Sequence, residues 1–309
     1  AADTGIVKKW ADKYGIAIEV TQFNDYVESM NQFTAGAYDA VTRTNMDGVS
    51  IPAAGGVDTT AVIVGDFSAG NDAVILKDGG ELSAIAGQNV NLVEFSVSHY
   101  LLARALDSVA LTERDVNVVN TSDPDMVGAF QTADVTAMVT WNPMVSEILA
   151  LPGATKAFDS SQIPGEIIDL MVANTEVLQA NPDFGKALAG IWYETMAVMT
   201  ADTPEGAEAR SAMGAASGTD QAGFEAQLAA TKLFDKPTDA VAFVTSPDLS
   251  TTMDRVRTFL FDKGLLGSGA PSADAIGIEL TDGTVLGDTN NVKLRFTAEY
   301  MTMAADGAL

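Results

Sequence analysis

The stretches VTAMVTWNPM, residues Val135 to Met144, and YDAVTRTNMDG, residues Tyr38 to Gly48, decide how the chain reads. Each begins with a short β-branched, apolar run, and each ends in a threonine and an asparagine beside a turn former. Such a run, bounded by turn residues, predicts a strand with a polar edge at its carboxyl end. A helical pattern precedes each: one ends near Phe33, the other near Phe130. The chain therefore carries two halves of like design.

Working outward, the same grammar repeats. IAIEVTQF, Ile16 to Phe23, predicts a strand. Asn24 and Asp25 are helix N-caps for a helix with Val27, Met30 and Phe33 on one face, stopped at Gly36. GVDTTAVIVGD predicts a strand buried over Ala61 to Val64, and NDAVILK, Asn71 to Lys77, a short one. Val90 to Phe95 predicts another strand. It leads into a helix capped by Ser96 or Ser98, with Leu101, Leu102 and Leu106 inward. DVNVVNT and Ile167 to Asn174 read as strands, and SDPDMVGAFQT as a helix capped by Ser122 or Asp123. From Pro182 to Gly264 the pattern is mostly helical, and the tail from Gly267 is rich in Gly and Asp. Strand and helix in alternation predict an α/β fold with largely parallel sheets. Two lobes facing one another would form a cleft, with ligand chemistry at strand carboxyl ends. The division expected is 1–75 with 169–309 as lobe one, and 76–168 as lobe two.

The chain has 309 residues, enough for two domains, and 47% are apolar, enough for a sizeable core. No apolar run reaches the length of a membrane-spanning helix. Cysteine is absent, which removes disulfides, thiolate metal sites and cysteine nucleophiles together. Acidic residues outnumber basic ones 42 to 17, for a net charge of −25. Nucleic acid is excluded as a partner, because phosphate binding needs clustered Lys and Arg. A solvated acidic surface accounts for most of the charge, and the same field favours cationic ligands. The opening AADTGIVKKWADKYGI reads as an amphipathic helix already under way, with Ile6, Val7, Trp10 and Ala11 on one face. A segment N-terminal to it is expected.

The chain lacks a G-x-G-x-x-G turn, a P-loop, an H-E-x-x-H helix, a G-x-S-x-G elbow and a D-x-D-x-D-G loop. The expectation is therefore no cofactor, no metal and no catalytic residue. The single histidine, His99, is expected on a helix surface or cleft wall. Candidate binding residues gather at strand ends and helix starts. In lobe one they are Asn24, Asp25, Asn45 and Asp47, with Thr44 beside them; in lobe two, Glu94, Ser96, Ser98, Trp141 and Asn142. Asp72 and Asp169 stand at the expected crossings between lobes. The caps among them also serve as ordinary backbone acceptors. A planar cation wants carboxylates as bidentate acceptors and an aromatic face for stacking, which Asp72, Glu94, Asp169 and Trp141 offer. The helix start at Ser96 offers N–H groups to an anion, against which Glu94 stands close in sequence.

FTAGAYDAVTRTNMDGVSIPAAGGVDTTAVIVGDFSAGNDAVIL, LVEFSVSHYLLARAL, VVNTSDPDMVGAF, TAMVTWNPMVSEIL and SSQIPGEIIDLMVANTEVL together resemble periplasmic substrate-binding proteins of ABC importers. The superfamily is that of taurine, aliphatic-sulfonate and thiamine-precursor binders, and the branch is the one found beside urea carboxylase. The resemblance implies a type II periplasmic binding fold, with two α/β lobes, a cleft and two hinge crossings. It implies a first strand ahead of the opening helix, which this sequence lacks, and cleft residues within TNMD, GND, VEFSVS, TWNP and EIID. The implied protein is a periplasmic monomer that is not an enzyme. It carries a small polar solute, guanidinium first, to an inner-membrane permease. Urea and taurine-like sulfonates are the alternatives, and a thiamine-pyrimidine-related enzyme a further one.

Overall fold

The computed structural model describes residues 4–267 and 269–309. The reading of Ala1 to Asp3 as part of a helix lies outside the described residues. The chain forms two compact units: unit 1 is 1–66, 168–210 and 233–309, and unit 2 is 67–167 and 211–232.

Elements run in the order α1 (Ile6–Tyr14), α2 (Tyr26–Thr34), β1 (Ala40–Thr44), α3 (Asn45–Gly48), β2 (Thr59–Ser68), β3 (Asp72–Leu76) and β4 (Asn89–Leu92). There follow α4 (Val97–Ser108), β5 (Asn117–Asn120), α5 (Met126–Phe130), β6 (Ala137–Trp141), α6 (Met144–Leu149), β7 (Thr155–Asp159) and β8 (Ile168–Asn174). After a helical stretch comes β9 (Thr231–Leu233), then the helices Pro237–Val244 and Pro247–Asp262, and then β10 (Gly277–Glu279), β11 (Val285–Leu286) and β12 (Val292–Phe296). One sheet has the order β1-β8-β2-β12-β10-β11, with β9 paired to β2; the other has the order β5-β4-β6-β3-β7.

The alternation of strand and helix is as the sequence predicts, but the sheets are mixed rather than largely parallel. β12 runs parallel to β2, and β4 parallel to both β5 and β6. β1 is antiparallel to β8, and β3 is antiparallel to β6 and β7. The strand that returns the chain to a sheet enters against its neighbour, which needs no helical crossover.

Three local expectations are corrected. Ile16 to Phe23 forms no strand: its apolar pattern is right, but no ladder takes up its backbone groups. β4 stops at Leu92 instead of reaching Phe95. There the chain turns, with Phe95 at φ 67°, and its N–H is taken by His99 Nδ1 at 3.1 Å. The units also divide the chain elsewhere than at 75/76 and 168/169. Residues 67–75 lie in unit 2 because β3 is built into its sheet between β6 and β7. Residues 211–232 join them, with the Ala69 N–H donating to the Ala230 carbonyl at 2.9 Å.

Unit 1 buries its helices through apolar stripes. α1 places Ile6 and Val7 against Ile191 of the helix Pro182–Thr200, with Trp10, Ile18 and Val198 packed around them. Each such aliphatic side chain contributes about 1.5–3 kcal/mol when fully buried. α2 is capped by Asp25, which accepts from the Glu28 N–H at 2.8 Å, and it buries Met30 and Phe33. In unit 2, α4 is capped by Ser96, which accepts from the Ser98 N–H, and it buries Leu101, Leu102 and Leu106. No helix among the described residues is long and apolar enough to cross a membrane.

Candidate functional site

In unit 1, the carboxyl groups of Asp66 and Asp47 both act on Asp169. β8 lies between β1 and β2 in the sheet, so Asp169 near its start is flanked on both sides. Across the antiparallel β1–β8 ladder it stands opposite Thr44. Toward β2 its neighbour is Asp66: the Ser68 N–H donates to the Ile167 carbonyl at 2.9 Å, which sets the end of β2 beside the start of β8. The third member, Asp47, sits on α3, the short helix that continues β1. Thr44 makes that turn: its Oγ1 accepts from the Asp47 N–H and donates to Asp47 Oδ2 at 2.8 Å. Tyr26 on α2 donates to the same oxygen at 3.0 Å and accepts from the Thr44 N–H at 2.9 Å.

The electrostatics follow from this crowding. Asp47 is fully buried. Asp169 is held well above the usual carboxylate range by burial, then by the charge and hydrogen bond of Asp66, then by Asp47. Solvent reaches the Asp169 residue, which weakens the burial contribution and leaves the neighbouring carboxyls as the firmer cause. Tyr26 is pushed well above its ordinary range by burial and by Asp47, so it stays a hydrogen-bond donor. Beneath Asp47 lies Arg43, 1% exposed, its guanidinium stacked over Phe33. Arg43 Nη2 donates to Thr59 Oγ1 at 2.9 Å, while Nε and Nη1 have no hydrogen-bond partner. Burial lowers its pKa to about 9, with Tyr26 and Asp47 opposing the drop.

Asn45 and Asn24 take other parts. Asn45 is buried, accepts from the Ile168 N–H at 3.1 Å and donates to the Met253 thioether at 3.6 Å. It pins the start of β8 beside the carboxyls. Asn24 is exposed just ahead of the α2 cap, and Asp25 is that cap.

In unit 2, the register of β3 with β6 sets Asp72 directly opposite Trp141. Paired residues share a face, so carboxylate and indole are cross-strand neighbours. Asp72 is buried; its N–H donates to Ser68 Oγ, which is hydrogen-bonded to Ser160 Oγ at 2.6 Å. Asn142 uses both ends of its amide to shape the turn: Nδ2 donates to Asn71 Oδ1, and Oδ1 accepts from the Ser146 N–H and hydroxyl. The Asn142–Pro143 peptide is cis.

At the α4 start, Ser96 Oγ donates to the Val93 carbonyl at 2.8 Å. Ser98 Oγ is fully buried without a hydrogen-bond partner. Glu94 is half-buried, and its N–H donates to Asn120 Oδ1. Of the two places expected for His99, a helix surface or a cleft wall, its burial excludes the surface. It is buried, stacked with Phe95, and its Nδ1 accepts the Phe95 N–H, which places the ring proton on Nε2, 3.1 Å from Glu113 Oε2. Its work is to hold a left-handed turn at a residue with a large side chain.

The sequence reading named Asp47 and Asp169 but missed Asp66 and Tyr26. Asp66 closes the apolar run TTAVIVGD, so the strand-end logic that picked Asn45 and Trp141 applied to it equally. Nothing local marks Tyr26, whose role depends on where α2 packs. Among the described residues, no group of three or more His, Asp or Glu is arranged to hold a metal ion.

The fold is that of periplasmic binding proteins. The alkanesulfonate-binding protein SsuA from Xanthomonas axonopodis pv. citri, bound to MOPS, superposes with a TM-score of 0.72 at 16% identity, covering 86% of this chain and 89% of that one. The periplasmic aliphatic sulphonate binding protein SsuA from Escherichia coli gives 0.70 at 17% identity, over 84% of this chain and 89% of that one. The desulfurization enzyme DSZB shares the fold less closely, at 0.58 and 13% identity over 84% and 88%. No curated protein sequence matches the chain closely enough to rank as a relative. A family profile does: residues 4–216 match that of the NMT1-like family, and the chain belongs to it.

Proposed function

We propose that this protein is the solute-binding component of an ABC importer, and that its solute is a small planar cation, guanidinium first. The observation that carries the reading is the set Asp47, Asp66 and Asp169, three carboxyl groups gathered at one end of one sheet. Carboxylates accept the paired N–H donors of a guanidinium in bidentate geometry. Asp72 beside Trp141 offers a second carboxylate with an aromatic face, the other thing such a cation favours. The net charge of −25 raises the local concentration of cations and their encounter rate. The protein acts as a binding protein and not an enzyme, works in the periplasm as a monomer, and passes its solute to a membrane permease. These assignments rest on the fold it shares with the SsuA proteins.

One observation favours a sulfonate instead. Ser98 Oγ is buried and unpartnered in the first turn of α4, where helix N–H groups suit an anion. The binding partners of the SsuA proteins, by their descriptions, are sulfonates. Calorimetric titration with guanidinium, urea and taurine separates the readings. Saturable heat with guanidinium, and none with taurine, supports the cation. The reverse pattern moves the solute to the α4 start and discards the cation reading.

A further inference from the structure

Phe95 stands in a conformation that its side chain disfavours. Its φ is 67°, in the left-handed region, and among the described residues no other side chain of its size has a positive φ. A Cβ there crowds the backbone and strains the turn. Burial does not offset the strain. Phe95 is 44% exposed, the one aromatic among the large apolar side chains that stand exposed in the described residues. Yet the turn is braced from two sides. The Glu94 N–H donates to Asn120 Oδ1 at 2.9 Å, and the Phe95 N–H to His99 Nδ1 at 3.1 Å. His99 is buried, meets Glu113 through Nε2, and stacks on Phe95 with ring centroids 5.7 Å apart. Glycine or asparagine would turn the chain here with less strain, so a braced, exposed phenylalanine points to a use for the ring itself.

The strand order says where that ring sits. β4 lies between β5 and β6 and runs parallel to both. From β4 the chain passes through α4 to β5 on one side, then through α5 to β6 on the other. The connections diverge between β4 and β6, and the carboxyl ends of two such strands are where open α/β sheets take ligands. Phe95 follows the carboxyl end of β4, and Trp141 closes β6. With Asn91 opposite Met138, the two strands end at the same sheet edge and bring both aromatics there. Asp72 stands opposite Trp141 on the next ladder. In the first turn of α4, Ser98 Oγ is fully buried with no hydrogen-bond partner, a polar group with capacity left for a ligand.

We propose that Phe95 is a solute contact: its ring and that of Trp141 take the flat faces of a planar solute at this divergence point. The proposal rests on the reading of the solute as a planar cation, and adds to it a residue that selects for shape. Aromatic rings stack on flat partners and attract cations over their faces. Asp72 supplies negative charge at the same edge, and a serine hydroxyl accepts as well as donates, so Ser98 suits an N–H donor. A tetrahedral sulfonate has no flat face to offer either ring.

Calorimetry with guanidinium chloride on the parent and three variants tests this, with thermal melts of the same four proteins. Phe95→Leu keeps an apolar side chain and loses the ring face; its affinity is expected to fall by about 3- to 30-fold. Phe95→Tyr keeps the face and is expected to keep the affinity. Phe95→Gly is expected to lose affinity as Phe95→Leu does, while melting at the parent's temperature or above it, because glycine takes the left-handed turn without strain. That split separates a solute contact from a packing residue, whose loss lowers the melting temperature. Undiminished affinity in Phe95→Leu and Phe95→Gly overturns the assignment and leaves the cation reading intact. So does a Phe95→Gly protein that melts well below the parent, or a Phe95→Tyr protein that loses as much affinity as Phe95→Leu. No saturable guanidinium heat with the parent overturns the cation reading and this inference together.

Discussion

Thr44 stands directly opposite Asp169 across the β1–β8 ladder, and the same Thr44 hydroxyl donates to Asp47 Oδ2. One small side chain thus ties the acid of α3 to the strand that carries the acid of β8. The site in unit 1 is a consequence of that register. A one-residue slip of β8 would turn Asp169 to the other face of the sheet.

Asp169→Asn is expected to weaken guanidinium binding by about 1–3 kcal/mol, read by calorimetry near neutral pH. Its effect on stability has a definite sign. The folded protein holds the Asp169 proton more tightly than the unfolded chain does. The stability contributed by that proton is present below the unfolded carboxylate range and is lost as pH rises through the raised folded value. Removing the acid therefore raises the melting temperature at about pH 8 relative to the parent, and does so less at about pH 5. A larger gain at the lower pH would contradict the assigned direction.

Trp141→Ala is expected to cost about 1–3 kcal/mol in cation affinity, since the indole shares a face with Asp72. Trp141→Phe keeps a weaker aromatic face and is expected to fall between. Equal affinity for all three proteins would remove Trp141 from the solute's contacts.

Gly65 lies under the indole of Trp192, so close that an added Cβ would stand 2.6 Å from Cζ2. The position is the last before Asp66, at the boundary of unit 1. Gly65→Ala is expected to destabilise unit 1 by about 1–3 kcal/mol through overpacking. Trp192→Phe vacates that space, so the double variant is expected to be less damaged than the sum of the two singles. Additive losses in thermal melts would show that the two residues do not meet.

His99→Ala is expected to lower stability by about 1–3 kcal/mol, because the Phe95 N–H loses its acceptor and Glu113 its Nε2 partner. Restoring an acceptor with His99→Asn is expected to recover part of that loss. A melting temperature unchanged in His99→Ala would mean that the turn at Phe95 holds itself.

Much of this protein was legible before any fold was known. The apolar periods located α2, α4, β1, β2, β3, β6 and β8; of the caps offered, Asn24 or Asp25 and Ser96 or Ser98, the structure uses Asp25 and Ser96. Strand-end reasoning picked Asp47, Asp72, Trp141 and Asp169, and the structure sets Asp72 against Trp141 and Asp169 near Asp47. It could not tell a solute contact from a brace. Asn45 and Asn142 looked alike in sequence and proved alike in use, each spending its amide on the backbone and side chains around it.

The sequence by itself determined the elements and the acidic, cysteine-free character of the chain, because periodicity, capping and charge are local and additive. Tertiary structure decided which acids meet. Asp47, Asp66 and Asp169 come together only because β8 enters the sheet between β1 and β2, antiparallel to β1. Strand order is set by the burial of whole faces and by backbone pairing between distant segments. No short window of sequence contains that information, and the same reason left Ile16 to Phe23 a strand in pattern with no ladder to join.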